Sequence, residues 1–200
     1  MTPQAQKGPI ATMLVLPRWT AVKAVAATTL VCGVTATAAF AATFTGTNGS
    51  DTIIGTASAD SISALGGSDL VYGLGGGDSI SGGDGTDVLF GDGSCPPGAT
   101  NAFYCSTAET AKDGADSISG GMGSDALFGQ GGGDTLSGGD GTDYLDGGSG
   151  ADSISGNNGD DTIRARDGVK DTISCGDGYD TVIADKVDSV SRDCESVSRA

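Results

Sequence analysis

Residues 138–146, Gly-Gly-Asp-Gly-Thr-Asp-Tyr-Leu-Asp, contain the pattern that decides the fold of this chain. A glycine-rich hexapeptide ends in Asp143, and the aliphatic Leu145 follows two positions later. The same aspartate recurs at nine-residue intervals on both sides of one interruption, at Asp51, Asp60, Asp69, Asp78, Asp87, Asp116, Asp125, Asp134, Asp143, Asp152 and Asp161. A fixed repeat of this length is typical of a solenoid, in which every unit buries its apolar residue by stacking on its neighbours.

Each nine-residue unit predicts a six-residue turn followed by a three-residue strand. The three residues after the aspartate alternate outward, inward and outward, as a strand requires. Glycine is needed where the backbone turns with positive φ or must approach an ion closely. The full turn pattern Gly-Gly-x-Gly-x-Asp occurs at 82–87, 120–125, 138–143 and 147–152. No stretch after residue 41 sustains a 3.6-residue period, so we expect almost no helix.

A second period of 18 residues lies over the first. In alternate units the outward residues are hydroxylic, as in Ser79 and Ser81, and in the units between they are mostly apolar or aromatic, as in Val88 and Phe90. Two turns and two strands per coil explain this alternation. The sequence therefore predicts an all-β fold, a parallel β-roll (β-solenoid) with two short-stranded parallel sheets. One sheet would carry a hydroxyl ladder and the other an apolar stripe.

The first 41 residues differ from the rest of the chain. They contain three basic residues, no acidic residue, and an Ala-rich apolar stretch that ends in Ala-Phe-Ala at 39–41. This pattern predicts a secretory signal peptide cleaved after Ala41. A membrane anchor is the alternative, but the apolar run is near the lower length limit for a span and is broken by Thr and Gly. The predicted domains are a signal peptide at 1–41, a roll at 42–163, and degenerate repeats with a C-terminal cap at 164–200.

One interruption separates Asp87 from Asp116 and adds 20 residues to a nine-residue unit. The alternation of the two faces continues across it, so we expect the extra residues to loop out of a single turn, at about 95–112. Four cysteines remain after the predicted cleavage, which favours two disulfides in an exported protein. The local pairings Cys95–Cys105 and Cys175–Cys194 are favoured among the three connectivities. A zinc site is the competing interpretation, and the absence of histidine argues against it.

Charge and composition narrow the function. Without the signal peptide, 7 basic residues face 26 acidic ones, a formal charge of −19. Such a surface collects cations, and we expect neither nucleic-acid binding nor membrane insertion. Nearly all of the acidic residues are aspartate, which suggests tight turns or metal coordination. The lack of histidine excludes a zinc-protease HExxH helix and a Ser-His-Asp triad. Paired carboxylates could in principle hydrolyse a glycoside, but we expect no enzyme.

The turns call for a metal ion on physical grounds. Stacked aspartates repel one another, the core holds one aliphatic side chain per nine residues, and the glycines raise the entropy cost of folding. A hard cation that takes six to eight oxygens from carboxylates and turn carbonyls reverses this balance. Irregular, carbonyl-rich oxygen cages suit Ca²⁺ better than Mg²⁺, and softer metals lack ligands here. We therefore expect several Ca²⁺ ions.

The glycine-aspartate nonapeptides resemble the RTX, or hemolysin-type, calcium-binding repeats over about residues 46–180. The resemblance implies that each Ca²⁺ lies between turns of successive coils, held by the sixth-position aspartate and turn carbonyls. The aspartates so implied are Asp60, Asp69, Asp78, Asp87, Asp116, Asp125, Asp134, Asp143, Asp152 and Asp161. The carbonyls are those of Gly73, Gly75, Gly82, Gly120, Gly129, Gly138 and Gly147, with a third-position carboxylate from Asp84 and Asp140. Departures from the motif predict weak or absent metal at the turns before Asp60, Asp116 and Asp171.

The resulting hypothesis is a secreted, non-catalytic calcium-binding protein whose folding is driven by Ca²⁺, released from the cell or loosely associated with its wall. The alternative is a cell-surface structural or adhesive module. In that case an apolar stripe would mediate a homodimer or bind a partner through Leu70, Tyr72, Val88, Phe90, Phe128 and Tyr144. Coverage of the stripe by the insertion or by the C-terminal cap is the third possibility.

Overall fold

The computed structural model describes residues 41–93 and 113–199, and the backbone of 30–32. Every element in these ranges is a strand, as predicted. Sheet I contains the odd-numbered strands: β1 (Leu30–Cys32), β3 (Thr52–Ile54), β5 (Leu70–Leu74), β7 (Val88–Asp92), β9 (Ala126–Phe128), β11 (Tyr144–Asp146), β13 (Thr162–Ala165), β15 (Thr181–Ala184) and β17 (Ser196–Arg199). Sheet II contains the even-numbered strands: β2 (Thr43–Thr45), β4 (Ser61–Gly67), β6 (Ser79–Gly85), β8 (Ser117–Met122), β10 (Thr135–Asp140), β12 (Ser153–Asn158), β14 (Thr172–Asp177) and β16 (Ser189–Val190). The predicted β-roll of two parallel sheets is confirmed.

The core is a double column of aliphatic side chains between the sheets. The middle residue of the three that follow each repeat aspartate points inward. Leu127 and Leu145 are therefore neighbours on adjacent strands of sheet I, and they face Ile118 and Leu136 of sheet II. All four are at most 1% exposed. Each strand contributes little apolar area by itself, so the core forms only when successive coils stack.

The coil register continues across the interruption. Strand β6 pairs in parallel with β8 through Ser79 and Ser117, and β7 pairs with β9 through Val88 and Ala126. The added residues therefore do not shift the repeat. The predicted insertion loop at about 95–112 and the predicted Cys95–Cys105 bond lie outside the described residues.

The strands of sheet II from β4 to β14 are longer than the three residues predicted. For example, β8 has six residues, because the turn residues Gly121 and Met122 also pair with Gly83 and Asp84 of the preceding coil. Turns of similar sequence stacked in register can extend the parallel hydrogen-bond ladder around the corner of the coil. The sequence of a single repeat does not show this, because the pairing is between coils.

The two outer faces differ as the 18-residue period predicted. Sheet II carries the hydroxyl ladder, in which Ser79, Ser117 and Thr135 are aligned on neighbouring strands. On sheet I the ring of Phe90 stacks between two others. Its centroid lies 5.0 Å from that of Tyr72 and 4.9 Å from that of Phe128. These rings are half-buried. A homodimer or partner at this stripe stays a prediction.

The C-terminal segment continues sheet II to Val190 and sheet I to Arg199. The predicted Cys175–Cys194 disulfide is confirmed, with the two Cα atoms 5.2 Å apart. None of the described residues forms a helix long and apolar enough to cross a membrane. The backbone of Leu30–Cys32 pairs with β3. The rest of residues 1–40 lies outside the described ranges, and the signal peptide stays a prediction.

Candidate metal centre

The turns of successive coils lie above one another and form two stacks of aspartates. The first stack leads into sheet I and contains Asp51, Asp69, Asp87, Asp125, Asp143, Asp161 and Asp180. The second leads into sheet II and contains Asp60, Asp78, Asp116, Asp134, Asp152, Asp171 and Asp188. All fourteen side chains are buried, with at most 6% exposure. Buried acidic side chains are unusual unless they are paired or bind a metal.

One oxygen of each stacked carboxylate has a fixed partner. In every member after the first of each stack, the donor is the backbone N–H of the aspartate one coil earlier, as from Asp125 N to Asp143 Oδ1 at 2.8 Å and from Asp134 N to Asp152 Oδ1 at 2.8 Å. The next residue continues the ladder, with Thr135 N donating to Asp116 O at 2.8 Å. These bonds hold every carboxylate in the same orientation along its stack.

The second oxygen of most of these carboxylates is buried without a hydrogen-bond donor among the described residues. This holds for Oδ2 of Asp69, Asp78, Asp87, Asp116, Asp125, Asp134, Asp143, Asp152, Asp161, Asp171 and Asp180. A buried charged oxygen without a partner is strongly destabilising, and each such atom in a fold demands an explanation. Because the same atom recurs at one position of the repeat, one kind of ligand would satisfy all of these oxygens.

Burial perturbs the titration of these groups. It raises the pKa of Asp78 to about 8 and that of Asp134 to about 7, and neighbouring carboxylates, among them Asp116, add to both pKa shifts. The backbone N–H that donates to each carboxylate opposes the change. Burial likewise raises to about 6 the pKa of Asp69, Asp116, Asp125, Asp161 and Asp171. The stacks therefore favour a neutral form or a bound cation over bare carboxylates.

The first glycine of each turn leaves room for oxygens from two coils. A Cβ placed on Gly138 would overlap Asp143 Oδ2 and lie 2.7 Å from the carbonyl oxygen of Gly156 in the next coil. Gly129 is related in the same way to Asp134 Oδ2 and the carbonyl oxygen of Gly147. Any side chain here would fill the space in which carboxylate and carbonyl oxygens converge. The glycine thus keeps an oxygen-lined cradle open.

The donor set of this cradle suits a hard cation. Within residues 41–93 and 113–199 no three acidic or cysteine side chains meet at one point, so a carboxylate must act together with main-chain carbonyls. The one ion pair in these ranges, Arg164 with Asp146 at 3.5 Å, lies at the surface away from the stacks. Carboxylate and carbonyl oxygens in a cage without strict octahedral symmetry are the ligands of Ca²⁺. The residues present fit that ion.

The structure places the predicted site residues in two different environments. The sixth-position aspartates and first-position glycines lie together in the stacked turns. Asp84 and Asp140 are exposed, and Asp140 Oδ1 accepts a hydrogen bond from the side chain of Asn158 at 2.6 Å. The third turn position therefore faces solvent. Gly75 donates its N–H to Thr56 O at 3.4 Å.

Sequence reasoning missed one buried carboxylate near the interruption. Asp92 is 1% exposed; its Oδ2 accepts from Gly114 N at 2.9 Å, and no described donor reaches its Oδ1. Burial raises the pKa of Asp92 to about 7, and Asp116 and Asp113 add to that shift. Asp92 occupies the second position of its turn, where the motif has glycine, so the nine-residue spacing gave no signal for it.

Asp171 and Asp180 also belong to the stacks, although weak or absent metal was expected at the turn before Asp171. Their ladder bonds join them to Asp152 and Asp161 at 2.8 Å, and both keep a buried Oδ2 without a described donor. The turn before Asp171 is one residue longer than the motif and still holds the ladder. The nine-residue interval between Asp171 and Asp180 was the available signal.

Comparison with known protein families gives one match. The model of the RTX calcium-binding nonapeptide repeat fits four copies, which together cover more than half of the chain, at residues 45–80, 65–94, 110–136 and 137–169. The copies span most of both aspartate stacks and flank the interruption. No curated protein matches the chain.

Proposed function

Since the chain belongs to the RTX calcium-binding nonapeptide repeat family, and that membership implies calcium binding, we propose that it is an exported, non-catalytic protein whose roll becomes ordered when Ca²⁺ enters the stacked turns. The observation that carries the proposal is the column of buried Oδ2 atoms without described donors. A chain that buries carboxylates in register, with a formal charge of −16, cannot order them by its own cations.

The residues that would hold the ions follow from the cradle. The Oδ2 atoms of Asp87, Asp125, Asp134 and Asp143 supply carboxylates, and carbonyl oxygens of the first-position glycines of the next coil converge on the same spaces. When bound, Ca²⁺ supplies positive charge and binds several oxygens at once. The chain aligns the oxygens through its ladder bonds and shields them from water by stacking.

The interrupted turn belongs to the same proposal. Asp92 adds a second buried carboxylate beside Asp116, so this turn offers more negative charge than a glycine turn. We include Asp92 among the Ca²⁺ ligands, alongside the sixth-position aspartates.

Coupling of ion binding to folding would suit an exported chain. Calcium is scarce in the cytosol and abundant outside the cell, so a chain that needs it would cross the membrane unfolded and fold on arrival. Metal sites that do not exist in the unfolded chain convert binding free energy into folding free energy. The raised carboxylate pKa values and the small core both favour this coupling.

Circular dichroism of the purified protein tests the proposal. In EDTA we expect a spectrum without β-sheet signal, and on addition of Ca²⁺ a cooperative gain of that signal. Mg²⁺ at the same concentration should produce much less. Excess Ca²⁺ added back after EDTA is the control for damage by the chelator. A protein that remains compact and heat-resistant in EDTA would overturn the proposal.

A surface module is the second candidate, favoured by the ring stack of Tyr72, Phe90 and Phe128 on the outer face of sheet I. Half-exposed aromatic rings in a row form a self-complementary surface for a second copy. Sedimentation in Ca²⁺ should then reveal a concentration-dependent dimer that Phe90→Ser weakens. Ser81→Ala on the opposite face is the matched control. A concentration-independent monomer would exclude the dimer.

A further inference from the structure

The turn that begins each stack differs from the turns that follow. Asp51 Oδ2 accepts hydrogen bonds from Thr47 N at 2.6 Å and Thr47 Oγ1 at 2.9 Å. Asp60 Oδ2 accepts from Thr56 N at 2.6 Å, and Thr56 Oγ1 lies 3.2 Å from Asp60 Oδ1. These two aspartates are as buried as the others, at 4% exposure, yet the Oδ2 of each has a hydrogen-bond donor within its own turn.

The threonine hydroxyl fills the interior of its turn. Thr47 Oγ1 accepts from Gly49 N at 3.1 Å while it contacts the carboxylate of Asp51. In the second stack, Thr56 Oγ1 accepts from Ser58 N at 3.2 Å in the same way. The same two contacts in two separate turns show that the arrangement belongs to the Gly-Thr-x-x-x-Asp sequence.

The backbone explains why only these turns are filled by threonine. Thr47 and Thr56 occupy the second turn position, where most of the other turns have glycine or another residue with positive φ, such as Leu65 at 81° and Gln130 at 74°. Neither threonine has positive φ. The threonine amide and hydroxyl therefore point towards the carboxylate. In the turns with glycine at this position, Oδ2 of the aspartate has no described donor.

We propose that Thr47 and Thr56 close the first turn of each stack to Ca²⁺, so that both ion columns begin one coil later, at Asp69 and Asp78. The inference rests on the proposed calcium function and goes beyond it by assigning which turns remain without an ion. The N–H of each threonine presents positive charge to Oδ2, the oxygen that a cation would need, and the hydroxyl contacts the same oxygen in Asp51 and the other oxygen, Oδ1, in Asp60. A cation would have to displace these donors from the carboxylate and leave half-buried groups without partners.

Ion counting on variants tests this assignment. We expect Thr47→Gly and Thr56→Gly each to bind one more Ca²⁺ than the wild-type protein, measured by calorimetry and by metal analysis after gel filtration. Thr47→Ser keeps the hydroxyl and should retain the wild-type count. Thr142→Gly is the matched control, because Thr142 is exposed and sits at the fifth position of an otherwise complete turn.

The outcomes separate this inference from the proposed function. If the wild type binds Ca²⁺ and both glycine variants bind the same number, the inference is wrong and the proposed function stands. If the wild type binds none, both fall. If a glycine variant does not fold, a wild-type crystal grown in Ca²⁺ decides through anomalous scattering. An ion against Asp51 or Asp60 Oδ2 overturns the inference, and ions that begin at Asp69 and Asp78 support it.

Discussion

The middle of the roll and its C-terminal end share one coil geometry but are completed differently. In the middle, the turns of Asp125, Asp134 and Asp143 each keep a buried oxygen without a described donor. At the end, Asp188 Oδ1 accepts from Asp171 N at 3.0 Å and its Oδ2 from Asp185 N at 2.5 Å. The disulfide Cys175–Cys194 adds a covalent link between the last coils.

This difference separates two requirements that the repeat combines. Stacking needs only an aligned ladder and an inward aliphatic residue, which both regions have. Neutralising the buried carboxylates is a second requirement, and the C-terminal end meets part of it with backbone donors. A region whose turns supply their own donors can terminate the roll, whereas the carboxylates of the middle keep a buried oxygen without a described donor.

The largest expected effect concerns the covalent link. Cys175→Ser together with Cys194→Ser should destabilise the Ca²⁺-bound protein by about 3 kcal/mol, because the bond closes a loop of about 20 residues in the unfolded chain. Urea unfolding in saturating Ca²⁺ measures it. Each single variant should cost as much as the pair, since either one removes the bond. An unchanged urea midpoint in the double variant would show that the disulfide does not contribute to stability and that the hydrogen bonds and packing of the last coils suffice.

The second prediction compares a glycine that lines the cradle with a glycine that has free space around it. Gly138→Ala should destabilise the Ca²⁺ form by about 1–3 kcal/mol, because its Cβ would overlap Asp143 Oδ2, and it should also weaken Ca²⁺ binding. Gly49→Ala is the matched control: its Cβ would meet only Thr47 Oγ1, at 3.8 Å, and its φ is not positive. Equal effects of the two substitutions would refute the cradle.

Much of this arrangement could be predicted from the sequence, because the repeat states its register at every unit. The inward column through Leu145, the two sheets and the Cys175–Cys194 pair were all predicted and confirmed. Asp92 was not found, because a buried carboxylate at a glycine position breaks the period that identified the others. The contact of Thr47 with Asp51 was not predicted either, since a hydroxyl inside a turn and a hydroxyl on its surface look alike in a sequence.

The third effect separates binding from structure at the carboxylates. Asp134→Asn removes the negative charge and replaces one carboxylate oxygen with an NH₂ group, so the midpoint of the Ca²⁺ titration should rise at least about tenfold, a loss of about 1.4 kcal/mol. Asp188→Asn should lower the stability and leave that midpoint unchanged, because both oxygens of Asp188 already accept N–H groups. Calorimetry on both variants measures the difference. A shifted midpoint in Asp188→Asn would mean that the end also binds ions.

The smallest effect is a dependence on pH that the middle should show. Burial raises the pKa of Asp134 to about 7 and of Asp78 to about 8, above the value of about 3.9 expected in an unfolded chain. The folded chain without ions therefore binds protons more tightly than the unfolded chain. The stabilisation from these protons is fully present below about pH 4 and is lost as the pH rises from there through the folded pKa values of about 7 to 8.

Calcium reverses the sign of this dependence. Bound Ca²⁺ must replace those protons, so its affinity should increase from about pH 5 to pH 8 and its binding should release protons. Calcium titrations in buffers of different ionisation enthalpy measure both quantities. The disulfide at the end does not titrate, so the cost of the Cys175→Ser and Cys194→Ser pair should stay constant over this range. A calcium affinity independent of pH would mean that the carboxylates of the middle are already ionised before Ca²⁺ binds. In that case burial would not raise their pKa values, and the contrast with the C-terminal end would need another cause.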